Sequence, residues 1–126
     1  MVKINYAYPQ RGEIWLVKTD KIKEFSKDYR PVLIISNNWQ NEQADEVTIV
    51  SFTTQRIEQT FPFEVLVSSS PENGLDQASK INTSLIFSLN KQLRLIKKLG
   101  KITNNQMLEV EKALHFSFNM NCVDFY

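Results

Sequence analysis

The sequence predicts a mainly β fold, a small and strongly bent barrel or sandwich with one packed terminal helix. Three observations carry that expectation. Short apolar runs rich in β-branched residues follow one another at close spacing through the first two-thirds of the chain. A segment near the C-terminus repeats its apolar positions at steps of three and four. No internal repeat, low-complexity tract or Pro/Gly linker interrupts residues 1–126, which are therefore read as one domain.

The elements follow in order. Gly12 precedes Glu13-Ile14-Trp15-Leu16-Val17, the first β-favouring run. Pro31 opens Val32-Leu33-Ile34-Ile35-Ser36, and a proline biases the residue before it, Arg30, towards an extended backbone. Residues 47–53 have the same β-branched character. Phe61-Pro62-Phe63-Glu64-Val65-Leu66-Val67 alternates, with Pro62 tolerable near a strand start or at a sheet edge. Three serines, Pro71, Asn73 and Gly74 make residues 68–76 a surface loop. Leu85-Ile86-Phe87-Ser88-Leu89 reads as a strand and Leu99-Gly100-Lys101-Ile102 as a very short one. Thr103 followed by Gln106 is a capping-box signature, in which hydroxyl and amide each satisfy an orphan N–H. Met107, Val110, Leu114 and Phe118 then mark one buried stripe and predict a helix over 104–117.

Composition excludes several classes. The 126 residues are 42% hydrophobic and carry Phe 8, Tyr 4 and Trp 2, too apolar for a disordered tail. Fifteen basic against fourteen acidic side chains leave +1, which argues against coating nucleic acid by bulk charge but permits a local basic face. The balance runs in blocks, +3 over residues 1–30, −6 over 31–76 and +4 over 77–126. Basic segments can thus converge around a site, although solvated loops and helix faces explain such blocks as well. Cys122 stands alone and forms no internal disulfide. No apolar run approaches membrane-spanning length, and Met1-Val2-Lys3-Ile4-Asn5-Tyr6 lacks the pattern of a signal peptide. A cytoplasmic protein with no membrane partner is expected.

Metal and nucleotide chemistry find few residues. One histidine, His115, and one cysteine cannot build a Cys/His zinc site, a two-histidine ribonuclease or a histidine-rich centre. Glu42, Asp45 and Glu46 lack the spacing of a calcium loop and read as a solvated segment. Three isolated glycines exclude a P-loop or dinucleotide fingerprint. No metal or cofactor is expected. Arginine and hydroxyl chemistry remains. Arg30 opens one strand, and Thr53, Thr54 and Gln55 end the next. If those strands pair antiparallel, a guanidinium, two hydroxyls and an amide share one rim. Such donors suit a phosphate group, which arginine can hold bidentately.

Four ordered motifs resemble the MazF/PemK family of toxin endoribonucleases. They are Arg11-Gly12-Glu13-Ile14-Trp15-Leu16-Val17, Tyr29-Arg30-Pro31-Val32-Leu33-Ile34-Ile35-Ser36-Asn37, Phe52-Thr53-Thr54-Gln55 and Phe61-Pro62-Phe63-Glu64-Val65. Ser79-Lys80-Ile81, Leu89-Asn90-Lys91 and Lys98-Leu99-Gly100-Lys101-Ile102 extend the similarity, which covers roughly residues 9–118. The resemblance implies an SH3-like barrel of the PemK/CcdB type with a C-terminal helix, acting as a homodimer. It implies metal-independent, sequence-specific cleavage of single-stranded RNA, inhibiting translation and growth. It also implies neutralisation by a cognate MazE-like antitoxin whose tail lies across the same groove. The catalytic positions it implies are Arg30 and Thr53, and its mobile loop falls on residues 18–29.

Physical chemistry is consistent with those roles. Without a metal, the 2′-hydroxyl of the substrate can attack the phosphorus, giving a 2′,3′-cyclic phosphate and a free 5′-hydroxyl. The phosphorane carries more charge than the diester, so donors aimed at its oxygens lower the barrier. Arg30, permanently protonated, serves charge stabilisation, with proton donation toward the leaving oxygen as a second use. Thr53 orients the phosphate or the 2′-hydroxyl. The general base stays open; Glu64 is one candidate, and a solvated strand carboxylate is its simpler description. Lys18, Lys21, Lys23 and Lys27 can hold backbone phosphates. Phe25, Tyr29 and Trp39 can stack on unpaired bases, while Asn37, Thr54 and Gln55, with Asn38, can bond base edges or phosphate.

Two departures bear on this. Ser26-Lys27-Asp28-Tyr29 stands where many relatives have glycine, so Asp28 can compete with phosphate for Arg30. Leu85-Ile86-Phe87 stands where some relatives carry a further arginine, so no substrate preference is carried over. Two alternatives are a gyrase-poisoning toxin of the same fold and a catalytically silent antitoxin-binding module. The Arg-Pro and Thr-Thr-Gln motifs speak against both.

Overall fold

Alternating side chains give each apolar run two faces, and pairing of those runs builds one six-stranded antiparallel sheet. The computed structural model describes residues 7–120; Cys122 lies outside them. The strands are β1 (Glu13–Lys18), β2 (Tyr29–Ile34), β3 (Glu46–Thr53), β4 (Glu64–Val67), β5 (Ser79–Asn90) and β6 (Leu95–Lys101). The helices are α1 (Asn38–Gln43), α2 (Lys91–Arg94) and α3 (Asn104–Phe118). Spatial order across the sheet is β4-β5-β3-β2-β1-β6.

Strand pairing does not close the expected barrel. β4 and β6 are the two edges, and what lies beside β6 is the turn around residues 72–74. Lys101 N donates to Glu72 O at 3.0 Å, and β6 thereby gains a backbone partner without a seventh strand. The approach is close enough to need glycine on both sides. A Cβ on Gly74, at φ +69°, would collide with the Leu99 carbonyl, and one on Gly100 with that of Glu72.

Two buried clusters occupy opposite faces. Ile14, Leu33, Val50, Phe52, Val65 and Ile81 pack with Met107, Val110 and Ala113 of α3. Val17, Val32, Ile34, Val47, Ile49 and Leu89 form the other cluster, with Trp15, Ile22, Phe87 and Leu95 against it. The odd–even alternation of β2 and β3 sorts their residues between these clusters. β5 serves both halves because it skips residues 83–85 between Ser51↔Asn82 and Val50↔Ile86. There Thr83 Oγ1 bonds Phe63 O at 2.6 Å and, more weakly, Ala113 O at 3.4 Å.

The capping box forms in full. Gln106 N donates to Thr103 Oγ1 at 3.1 Å and Thr103 N to Gln106 Oε1 at 2.8 Å. Phe118 departs from the expected stripe and is 57% exposed. In the last turn Ser117 faces the sheet, its Oγ donating to Thr83 O at 3.4 Å, which turns Phe118 outward. Ala113 is buried in the middle of the stripe.

Candidate active site

β2 and β3 bring the two expected catalytic positions together. Their register pairs Val32 with Ser51. Continued two residues, it sets Arg30 opposite Thr53, on the face of Val32, Ile34 and Ile49. Arg30 Nη2 donates to Phe52 O at 2.6 Å, so the guanidinium grips the peptide unit that begins Thr53. Its Cζ lies 5.6 Å from the centre of the Phe25 ring, and Phe25 in turn stacks at a tilt on Phe87, 4.9 Å between centroids. Burial lowers the Arg30 pKa from its ordinary value, because a half-dehydrated cation is less favourable. A guanidinium so lowered still carries its charge at neutral pH.

Thr53 Oγ1 accepts the Gln55 N–H at 3.2 Å, which leaves the hydroxyl proton free to donate. A cleft of about 120 Å³ opens beside the guanidinium, lined by Lys27, Tyr29, Arg30, Phe52, Thr54 and Ser79. That space holds about four waters, enough for a phosphate and its ester oxygens but not for a nucleoside. Thr54 lines it, whereas Thr53 stands beside it in the strand.

The loop of residues 19–28 forms the wall on the β1 side. Thr19, buried, donates through Oγ1 to Lys27 O and through N to Asp28 O, both at 2.6 Å. Arg94 Nη1 bonds Lys18 O at 3.2 Å, Asp20 O at 2.8 Å and Asp20 Oδ1 at 3.3 Å, so the loop is tied at its base from α2. Lys18, Lys21, Lys23 and Lys27 are exposed around it, and Tyr29 is 53% exposed at the start of β2. Asp28 makes no ion pair with Arg30, and its backbone carbonyl accepts the Thr19 N–H. Phe25 is buried under Arg30 and is not available as a stacking platform.

Other expected contacts lie elsewhere. Asn37 and Trp39 follow the far end of β2, roughly 13 Å along the strand from Arg30. Asn37 Oδ1 caps α1 by accepting Gln40 N at 2.8 Å, and Trp39 on that helix is 75% exposed. Gln55 is exposed just past Thr53. Glu64 is not the solvated carboxylate expected: its side chain is 6% exposed and bonds Lys80 Nζ at 3.1 Å, so it does not face substrate.

A larger cleft of about 790 Å³ lies near the opposite end of β1, lined by Arg11, Glu13, Trp15, Lys98, Lys101 and Met107. Two of its cations are already neutralised, Arg11 by Glu111 at 3.2 Å and Lys98 by Glu13 at 2.9 Å. Arg30 has no carboxylate partner among the described residues, and its charge stays available to a ligand. Among those residues no three His, Cys, Asp or Glu side chains come together as a metal site.

Residues 10–118 match the family described as PemK-like, MazF-like toxin of type II toxin–antitoxin system. The chain belongs to that family. A similar curated protein is the endoribonuclease MazF of Staphylococcus epidermidis, 28% identical over 116 residues, spanning 91% of this chain and 95% of the relative. Among solved structures, a mycobacterial endoribonuclease in complex with its cognate antitoxin is 27% identical, with a TM-score of 0.73 over 91% of this chain and 99% of that one. MazF from Deinococcus radiodurans, at 21% identity and a TM-score of 0.72 over 92% of this chain and 100% of that one, shares the fold. The matched residues 10–118 span all six strands and all three helices, Arg30 and Thr53 among them.

Sequence reasoning did not assign Lys80, Thr19, Arg94 or Ser79 to the site. Lys80 carried no local signal, because it stands in a polar stretch whose burial depends on partners distant in sequence. Thr19 and Arg94 had none either, because their partners are backbone carbonyls distant in sequence.

Proposed function

We propose that this chain is an endoribonuclease toxin that cuts single-stranded RNA at specific sequences, inhibits translation and growth, and is neutralised by a MazE-like antitoxin. Membership of the toxin family supports the class, and the cytoplasm is where such a protein meets messenger RNA. A homodimer is the active form in this reading. The observation that carries it is the Arg30 guanidinium, held beside the Thr53 peptide with no carboxylate among the described residues to neutralise it.

The 2′-oxygen attacks phosphorus as the bond to O5′ breaks, one proton leaving the nucleophile and one joining the leaving oxygen. Arg30 donates to the non-bridging oxygens as their charge grows, and Thr53 orients the group with its free hydroxyl proton. Arg30 is already partly dehydrated before substrate arrives, so a phosphate has less water to displace from it. Every atom the step consumes belongs to the RNA and to protons, so no metal is required of this mechanism.

Incubating the protein with a long, weakly structured transcript in excess EDTA tests the reading. It expects discrete cuts with 5′-hydroxyl ends, absent with Arg30→Ala and Thr53→Ala. Uncut RNA with the wild-type protein would reject it.

A further inference from the structure

The row of side chains that holds Arg30 and Thr53 continues across the sheet. Thr53 pairs with Lys80 on β5, and Lys80 pairs with Leu66 on β4, so Arg30, Thr53 and Lys80 are successive cross-strand neighbours on one face. A cation beside the reacting threonine would ordinarily be read as another phosphate ligand. Its bonding argues otherwise. Lys80 is 5% exposed, and its Nζ donates to Arg56 O at 3.0 Å, Gln59 O at 2.9 Å and Glu64 Oε1 at 3.1 Å. An ammonium has three donors, and all three are spent.

What they hold is the segment that follows Thr53. Residues 54–60 leave β3, turn through Arg56 at φ +53°, and return with Gln59 N bonded to Arg56 O at 3.2 Å. Without the ammonium the Gln59 carbonyl would lose its donor and the Arg56 carbonyl would keep only the Gln59 N–H. Glu64, accepting also the Phe61 N–H at 3.1 Å, closes the far side of the same loop. Thr54, which lines the Arg30 cleft, and Gln55, which bonds the Thr53 hydroxyl, are the first two residues of the segment so anchored.

We propose that the buried Lys80–Glu64 pair is a positioning device for the cleavage site, fixing the 54–60 turn so that Thr53 and Thr54 stand in reacting register with Arg30. The inference rests on the Arg30/Thr53 reading of function. Lys80 contacts no substrate; it acts through the loop. A misplacement of about 1 Å at a reacting group can cost on the order of 10²-fold in rate, which sets the scale of the effect.

The test is the double variant Lys80→Met/Glu64→Leu, which removes both buried charges and leaves no uncompensated ion. Cleavage is read on an oligoribonucleotide spanning a cut mapped on the transcript, with Arg30→Ala run alongside. The proposal expects a folded protein whose kcat falls roughly 10- to 100-fold while KM stays within about twofold. Hydrogen exchange should quicken at residues 54–60 and stay unchanged in β2 and β3. A folded double variant with wild-type kcat, or with an unchanged 54–60 exchange rate, overturns it. If the double variant does not fold, Lys80→Arg decides: a planar fork cannot meet the three acceptors together, so the same fall in kcat at constant KM is expected, and wild-type kcat overturns the proposal. Cleavage that survives Arg30→Ala would instead reject the site itself.

Discussion

Arg30 combines three conditions that surface arginines rarely meet together: partial burial, a fixed acceptor in Phe52 O, and an aromatic face in Phe25. Each restricts where the guanidinium can go, and together they leave its outer edge aimed into the small cleft. Lysine cannot reproduce that geometry, since an ammonium neither lies flat on a ring nor bonds two oxygens in one plane. Phe25→Ala should therefore lower kcat, by roughly tenfold, through a loosened guanidinium rather than through lost RNA stacking. Single-turnover rates at saturating RNA measure this, and an effect confined to KM would return Phe25 to the role of an RNA contact.

At the scale of elements, the turns hold the fold as much as the strands do. Thr103→Ala removes one half of the capping box and should cost about 1 kcal/mol in urea unfolding. Gly74→Ala should cost more than about 1 kcal/mol, since it combines a left-handed backbone with a collision against the Leu99 carbonyl. Equal midpoints for Gly74→Ala and wild type would mean that β6 does not depend on that turn. These elements also show what the sequence discloses. β1, β3 and α3 were legible because their burial is written in local apolar periodicity. The first half of β5 was not, because Ser79, Lys80 and Thr83 are polar yet buried, with Lys80 and Thr83 satisfied by partners distant in sequence. The first half of β6 was missed because exposed Lys97 and Lys98 break the apolar run on an edge strand. α1 and α2 are only six and four residues long, started by Asn37 and Asn90 side chains accepting backbone N–H groups, with no apolar stripe to announce them. Arg30 and Thr53 could be placed together because antiparallel neighbours bring a start beside an end. Lys80 could not, because its function depends on where one loop folds back.

Across the whole molecule, ion pairing sorts the cations into used and unused. Arg11, Lys80, Arg94 and Lys98 are each matched to a carboxylate. Lys21, Lys23, Lys27 and Arg30 are among the described cations matched to no carboxylate, and they lie in or beside the loop that borders the small cleft, with Lys18, likewise unmatched, at its base. A near-neutral protein thereby presents a local basic rim around that loop, the place the proposed function gives to the RNA backbone. RNA affinity should fall with salt, and Lys21→Gln/Lys23→Gln/Lys27→Gln should flatten the log–log slope by up to about 2. An unchanged slope would place the backbone contacts elsewhere. A guanidinium that stabilises the charged phosphorane is tested most directly by kcat of Arg30→Ala and Arg30→Lys on a mapped oligoribonucleotide. Both variants should retain the wild-type melting behaviour; alanine should lose about 10²–10³ in kcat, and lysine should recover little of it. Turnover near wild type in the alanine variant would contradict a site built around this guanidinium.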